Sequence, residues 1–126
     1  MRAVLAVLML MLALPAWAGA PRERLVTTPA WVAARLADPE LVILQVGDKA
    51  GYEAGHIPGA RLVTLADFAA PSTGPDSLIL QMPDPEALRA RLMALGVSDR
   101  SKIVVLPTRE GIQSATRVVF TLDAAG

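Results

Sequence analysis

The chain has no cysteine and a single histidine, His56, among its 126 residues. Without cysteine there is no disulfide to staple the fold, no thiolate nucleophile and no cysteine-linked lipid at the N-terminus. An excess of charge of either sign is missing too, since 12 basic residues balance 12 acidic ones. Such a mixed surface gives no electrostatic reason to bind nucleic acid or anionic lipid. Internal repeats and low-complexity tracts are also absent.

What the chain does have begins at its N-terminus. Met1-Arg2 is followed by an unbroken apolar run from Ala3 to Leu14, then Pro15 and the small-residue stretch Ala16-Trp17-Ala18-Gly19-Ala20. That is the order of a secretory signal peptide: charged start, apolar centre, A-x-A cleavage site. Cuts after Ala18 and after Ala20 both fit. Ala18 is favoured, because the other would leave Pro21 just past the scissile bond. Spanning a bilayer takes about 20 apolar residues, and this run has 12 before its proline. The expectation is a leader over residues 1–18, an exported mature protein, periplasmic or secreted, and no membrane attachment after cleavage. The positive mean hydropathy comes partly from this segment and does not argue for a membrane protein. Residues 19–126 remain, near the lower end of comfortable domain size.

The mature part alternates strand and helix patterns. Leu25-Val26 reads as a brief strand, and Thr28-Pro29 as the cap and first turn of a helix carrying Trp31, Val32, Arg35 and Leu36, stopped by Asp38-Pro39. Residues 41–46, LVILQV, form an apolar run rich in β-branched side chains, which predicts a buried parallel strand. Residues 60–63 suggest another. Residues 71–76 are loop chemistry within the irregular stretch 64–84. Asp84-Pro85 repeats the cap-plus-proline start, with Leu88, Leu92 and Leu95 as one stripe and Gly96 as the stop. Residues 102–106 are the clearest strand, and a last helix places Ile112, Ala115, Val119 and Leu122 on one face. This predicts an α/β domain, a parallel sheet covered by helices. Because the chain stops directly after a helix, the domain over residues 19–126 is expected to end before a last strand.

Three places are candidates for chemistry. His56, in "GYEAGHIPGAR", could act as a general base, but no nucleophile or carboxylate partner stands near it in sequence. The alternative is that Gly55, Pro58 and Gly59 set a tight turn which His56 holds by a hydrogen bond. The loop 107–111, leading from a strand into a helix, is a candidate anion cradle with Thr108, Arg109 and Gly111 as its residues. In such loops a cysteine often comes first, whereas here Pro107 supplies neither nucleophile nor N–H. Asp48, at the end of a strand, is expected to cap the helix Lys49–Ala54 rather than to catalyse. No metal site and no cofactor are expected.

The stretch "LVILQVGDKAGYEAGHIPGARLVTL" resembles the signature of the rhodanese (thiosulfate sulfurtransferase) family. Tyr52, Gly55, His56, Ile57, Pro58, Gly59 and Ala60 match its Tyr/Phe-x-x-Gly-His-Ile-Pro-Gly-Ala segment. "IVVLPTREGIQSATRVVFTLDAAG" is similar to the family's strand, active-site loop and following helix. Two departures stand out. Gln45-Val46-Gly47 replaces the family's Asp-Val-Arg triplet, and Pro107 stands at or beside the position of the cysteine that carries sulfur as a persulfide. The resemblance implies a three-layer rhodanese-like domain without its own catalytic residue, most similar to the cysteine-free N-terminal domain of two-domain members. It further implies a C-terminal rhodanese domain as partner, with thiosulfate or a similar sulfur anion as substrate. A stand-alone degenerate module that binds a partner or an anion is the alternative. A phosphatase on the same fold would need the same missing cysteine.

Overall fold

The computed structural model describes residues 25–108 and 111–126. The expected leader, both of its cleavage sites and Arg109 therefore lie outside the described residues. Two units are distinguished, Met1–Ala34 and Arg35–Gly126.

In the first unit a short helix, α1 (Pro29–Ala33), starts where the cap chemistry predicts: the Thr28 side chain accepts a hydrogen bond from Trp31 N–H at 3.1 Å. Val32 is its buried residue. The helix is shorter than the sequence pattern suggests and gives way to a turn at Ala34. Leu25 is helical, Val26 irregular, and both are exposed, so the strand expected there does not form. Two apolar residues without an alternating continuation cannot secure a place in a sheet.

The second unit runs β1 (Leu41–Val46), α2 (Lys49–Ala54), β2 (Arg61–Val63), a 3-10 turn (Leu65–Phe68), α3 (Pro85–Ala94), β3 (Lys102–Pro107) and α4 (Ile112–Ala125). The three strands pair in parallel in the order β2-β1-β3. Leu44 to Val46 face Arg61 to Val63 on one side, and Leu41 to Val46 face Lys102 to Pro107 on the other. Side chains alternate across a strand, so Val42, Leu44 and Val46 share one face. They pack there with Val63, Phe68, Leu88, Leu95, Ala115 and Val118. Ile43 and Gln45 occupy the other face and are buried as well. Burial on both faces is what a parallel strand requires, and it explains the uninterrupted apolar run. The result is an α/β fold, a parallel sheet flanked by helices.

Local chemistry sets the helix ends. The Asp84 carboxylate accepts from the N–H groups of Glu86 (3.0 Å) and Ala87 (3.1 Å) at the start of α3. Gly96, at φ 71°, takes the left-handed conformation that closes it. The Leu88, Leu92, Leu95 stripe faces the core as its spacing predicts. α4 differs. Its buried residues are Ala115, Val118 and Thr121, whereas Ile112 and Val119 are exposed. The sequence carries two overlapping helical stripes, and packing against β3 selects the one containing Val118. Thr121 enters the core because its hydroxyl donates to Arg117 O at 3.0 Å.

Candidate functional site

Strand order brings the C-terminal ends of β1 and β3 side by side, and the segments leaving them carry all the residues singled out above. That end of a parallel sheet is where α/β proteins place ligands.

β1 runs into α2 through Gly47 and Asp48. The Asp48 carboxylate accepts from Gly51 N–H at 2.6 Å and caps the helix. α2 ends at Gly55, and the turn that follows is tied down at several points. Tyr52 Oη donates to Ala60 O at 2.7 Å, closing the turn over eight residues. Ala60 N–H donates to Ile57 O at 2.9 Å. Gly59, at φ 79°, takes a backbone conformation that a side chain would strain. The His56 ring stacks on Tyr52 with centroids 3.9 Å apart and planes 11° from parallel. Its Nδ1–H donates to Tyr52 O at 3.0 Å, which leaves Nε2 toward solvent. No carboxylate or hydroxyl among the described residues bonds to this ring. Pro58 is exposed, and Ala60 is buried at the foot of the turn.

From the sheet side, Gln45 Nε2 donates to Gly55 O at 3.2 Å. Gln45 is almost wholly buried, so this bond joins the centre of the sheet to the start of the turn without crossing solvent. Nothing in the local residue pattern marks a polar residue in an apolar strand as such a tie.

β3 runs into α4 through Pro107, Thr108 and Gly111. Thr108 N–H donates to Val46 O at 2.9 Å, extending the sheet pairing by one rung. Gly111 N–H donates to Thr108 O at 3.0 Å, and Ala115 N–H to Gly111 O at 2.9 Å. The Thr108 side chain lies directly over Gly47: a Cβ on Gly47 would sit 2.3 Å from both Oγ1 and Cγ2 of Thr108. On Gly51 it would be 3.3 Å from Thr108 Cγ2, and on Gly111 it would be 3.6 Å from Oγ1. Three glycines thus surround one threonine. The space between the two strand ends is taken up by that side chain, and its hydroxyl makes no hydrogen bond to a described residue.

A second cluster lies at the far side of β2. Thr64 and Asp67 form a capping box around the 3-10 turn, a T-x-x-D pattern legible in the sequence. Asp67 also pairs with Arg91 of α3 at 2.6 Å. Partial burial pushes the Asp67 carboxyl up. The Thr64 N–H and hydroxyl and the Arg91 guanidinium outweigh it, holding the carboxyl below its ordinary 3.8. Among the described residues no group of histidine, aspartate and glutamate is arranged to hold a metal ion.

The sequence profile of the rhodanese-like domain matches residues 28–126, most of the described chain. The chain belongs to the rhodanese family. It is similar to a protein of Synechococcus elongatus named "Putative thiosulfate sulfurtransferase", 35% identical over 127 residues, covering 95% of this chain and 38% of the relative. It is also similar to the thiosulfate sulfurtransferase of Azotobacter vinelandii, 35% identical over 102 residues, 81% of this chain and 36% of the relative. The chain spans less than two-fifths of the length of either. Within the family, its departures now have physical correlates. At the family's aspartate, Gln45 donates to a carbonyl, which a carboxylate cannot do. At the family's arginine, Gly47 leaves room for Thr108, which any side chain would displace. Pro107, which the resemblance sets at or beside the family's cysteine, is the last residue of β3. This rhodanese-like domain therefore lacks the sulfur-carrying thiol.

Proposed function

We propose that this rhodanese-like domain is the non-catalytic, N-terminal part of an exported sulfurtransferase. The sulfur-carrying cysteine would belong to a C-terminal rhodanese domain, and the substrate would be thiosulfate or a similar sulfane-sulfur anion. The observation that carries this reading is the Thr108 side chain between Gly47, Gly51 and Gly111. In an active rhodanese loop, backbone N–H groups at the helix start face a thiolate or an anion. Here the Thr108 side chain lies over Gly47 and beside Gly51 and Gly111, and Pro107 stands at or beside the cysteine's place. A threonine hydroxyl is not ionised at neutral pH, and none of the described residues bonds to this one to take its proton, so it is no substitute. The names and greater lengths of the two relatives support a larger sulfurtransferase around this domain. The sequence order of the first 18 residues supports export. In this reading the Tyr52–His56 stack keeps the turn rigid, and His56 is not a base.

The test is thiosulfate-dependent formation of thiocyanate from cyanide by purified 19–126, beside the intact mass of the native exported protein. We expect no turnover, and a native mass of about twice that of residues 19–126 or more, the size of a second domain. Thiocyanate formation by the fragment would sink the non-catalytic assignment. A native mass equal to 19–126 would leave the alternative, a stand-alone module that binds a partner or an anion.

A further inference from the structure

Between the 3-10 turn and α3 the chain makes a loop whose two ends meet. Ala70 N–H donates to Gln81 O at 2.9 Å and closes its base. Inside, Ser77 N–H donates to Gly74 O at 3.1 Å, and Thr73 N–H donates to Ser77 Oγ at 2.9 Å. Every hydrogen bond that residues 71–79 make to a described residue stays within the loop. None of residues 71–82 is buried. Attachment to the rest of the domain comes at the far end, from Arg117 of α4. Its Nη2 donates to Leu80 O and to Met82 Sδ, the second at 3.6 Å.

Two features work against this attachment. Leu80 is held at φ 58°, a left-handed conformation that a large side chain seldom adopts. Such strain persists only where the surroundings enforce it, and Arg117 is the group that holds this carbonyl. The Arg117 Nε is itself buried with no hydrogen-bond partner among the described residues, so the closed form leaves a cationic donor unsatisfied. The Phe120 ring, 5.4 Å from the guanidinium, lies beside it on the same helix. One charge-assisted bond thus opposes backbone strain and a dry donor. Opening relieves the strain and admits water to the guanidinium.

We propose that residues 71–81 form a strap that opens as one unit while the sheet stays folded, with Arg117 as its latch. Its hinges lie at Ala70 and Gln81, whose mutual bond breaks with the latch. Opening removes Ser77, Leu78 and Leu80 from the wall of a depression of about 290 Å³ and uncovers Ala66 and Ala69 behind them. Arg117 acts here as a positioning residue. Each contact of the device lies within this chain, and none depends on sulfur chemistry.

The test is native-state hydrogen exchange by NMR on the purified chain, at urea concentrations below the unfolding transition. Ala70 N–H reports the strap, and the amides of β1, the central strand, report global unfolding. Ala70 should open at least about a hundredfold more readily than β1, with little dependence on urea. Arg117→Gln should speed Ala70 exchange roughly tenfold. Ala70 should exchange about fivefold more slowly in Leu80→Gly than in Leu80→Ala, because glycine alone is at ease at this φ. If Arg117→Gln does not fold, that Leu80 pair decides alone. Asp48→Ala removes the cap of α2, which closed and open forms share. It should speed β1 exchange roughly fivefold and leave Ala70 unchanged. An Ala70 amide that follows β1 in its urea dependence would overturn the proposal. So would equal exchange in Leu80→Gly and Leu80→Ala, an Ala70 rate unmoved by Arg117→Gln, or one raised by Asp48→Ala.

Discussion

Among the described glycines, Gly47 is the one where an added Cβ would make the closest approach. Replacing it with alanine adds one carbon, which would lie 2.3 Å from Oγ1 and Cγ2 of Thr108 and 2.8 Å from its Cβ. Carbon atoms in contact settle near 3.5–4.0 Å, so the overlap exceeds half an ångström at every one of the three. Rotating the Thr108 side chain can move Oγ1 and Cγ2 but not Cβ. The loop itself must shift, against the bonds from Thr108 N–H to Val46 O and from Gly111 N–H to Thr108 O. Overpacking of this kind costs about 1–3 kcal/mol. Losing a glycine from the unfolded chain returns roughly 0.4–1 kcal/mol of it, because Gly47 is not in the left-handed region that alanine avoids. The net expectation for Gly47→Ala is a loss of about 1–2 kcal/mol, read as a lower urea midpoint with an unchanged slope by circular dichroism. The diagnostic step is the cycle with Thr108→Gly, which removes all three contacting atoms. In that background Gly47→Ala should be neutral or stabilising, giving a coupling of at least about 1 kcal/mol. Additive effects, or a Gly47→Ala loss of under about 0.5 kcal/mol, would refute the close approach.

Other predictions concern the ties around this region. His56→Ala removes a stacked ring and the bond to Tyr52 O, and should cost about 0.5–1.5 kcal/mol; an unchanged melting temperature would count against a holding role. Asp84→Ala leaves two N–H groups of α3 without their acceptor and should cost about 1 kcal/mol, measurable by the same urea titration. The Asp67 carboxyl is held below its ordinary 3.8 in the folded state, so the folded chain binds fewer protons than the unfolded one. Its stabilisation is therefore fully present above pH 3.8 and is lost as pH falls through the lowered folded value. Asp67→Asn should accordingly be destabilising at pH 6, with the deficit shrinking on acidification. A deficit that stays constant from pH 6 to pH 2.5 would contradict the Thr64 and Arg91 contacts.

Much of the architecture is legible in the sequence because local and global signals agree. Asp84-Pro85, Thr28-Pro29 and Asp48 each announce a helix start by side-chain chemistry that works within three residues. The apolar run of β1 states its burial outright. What is not legible depends on contacts between distant residues. Leu25-Val26 has strand composition but pairs with no strand among the described residues. α4 carries two stripes of similar apolarity, and only the position of β3 decides that Val118 rather than Val119 is buried. The candidate site divides the same way. The Tyr52-to-Ala60 turn is readable because its glycines and proline act locally. The packing of Thr108 over Gly47 joins the ends of two strands far apart in sequence, and a single sequence offers no way to pair them. Gln45 reads as a polar interruption of a strand until Gly55 O is seen to need a donor.

The strand order also sets a timetable. β1 meets β2 across a short helical connection, but its longer partner, β3, lies beyond α3, with Leu41 facing Lys102. Closing that much chain carries a larger entropic cost than closing the first loop, and long-range parallel pairing is slow. During synthesis β1 emerges well before β3, and its run of valine, leucine and isoleucine must wait with one edge open. The segment Val42–Val46 is therefore the stretch most exposed to misassociation until residue 107 has been made and the central strand has neighbours on both sides.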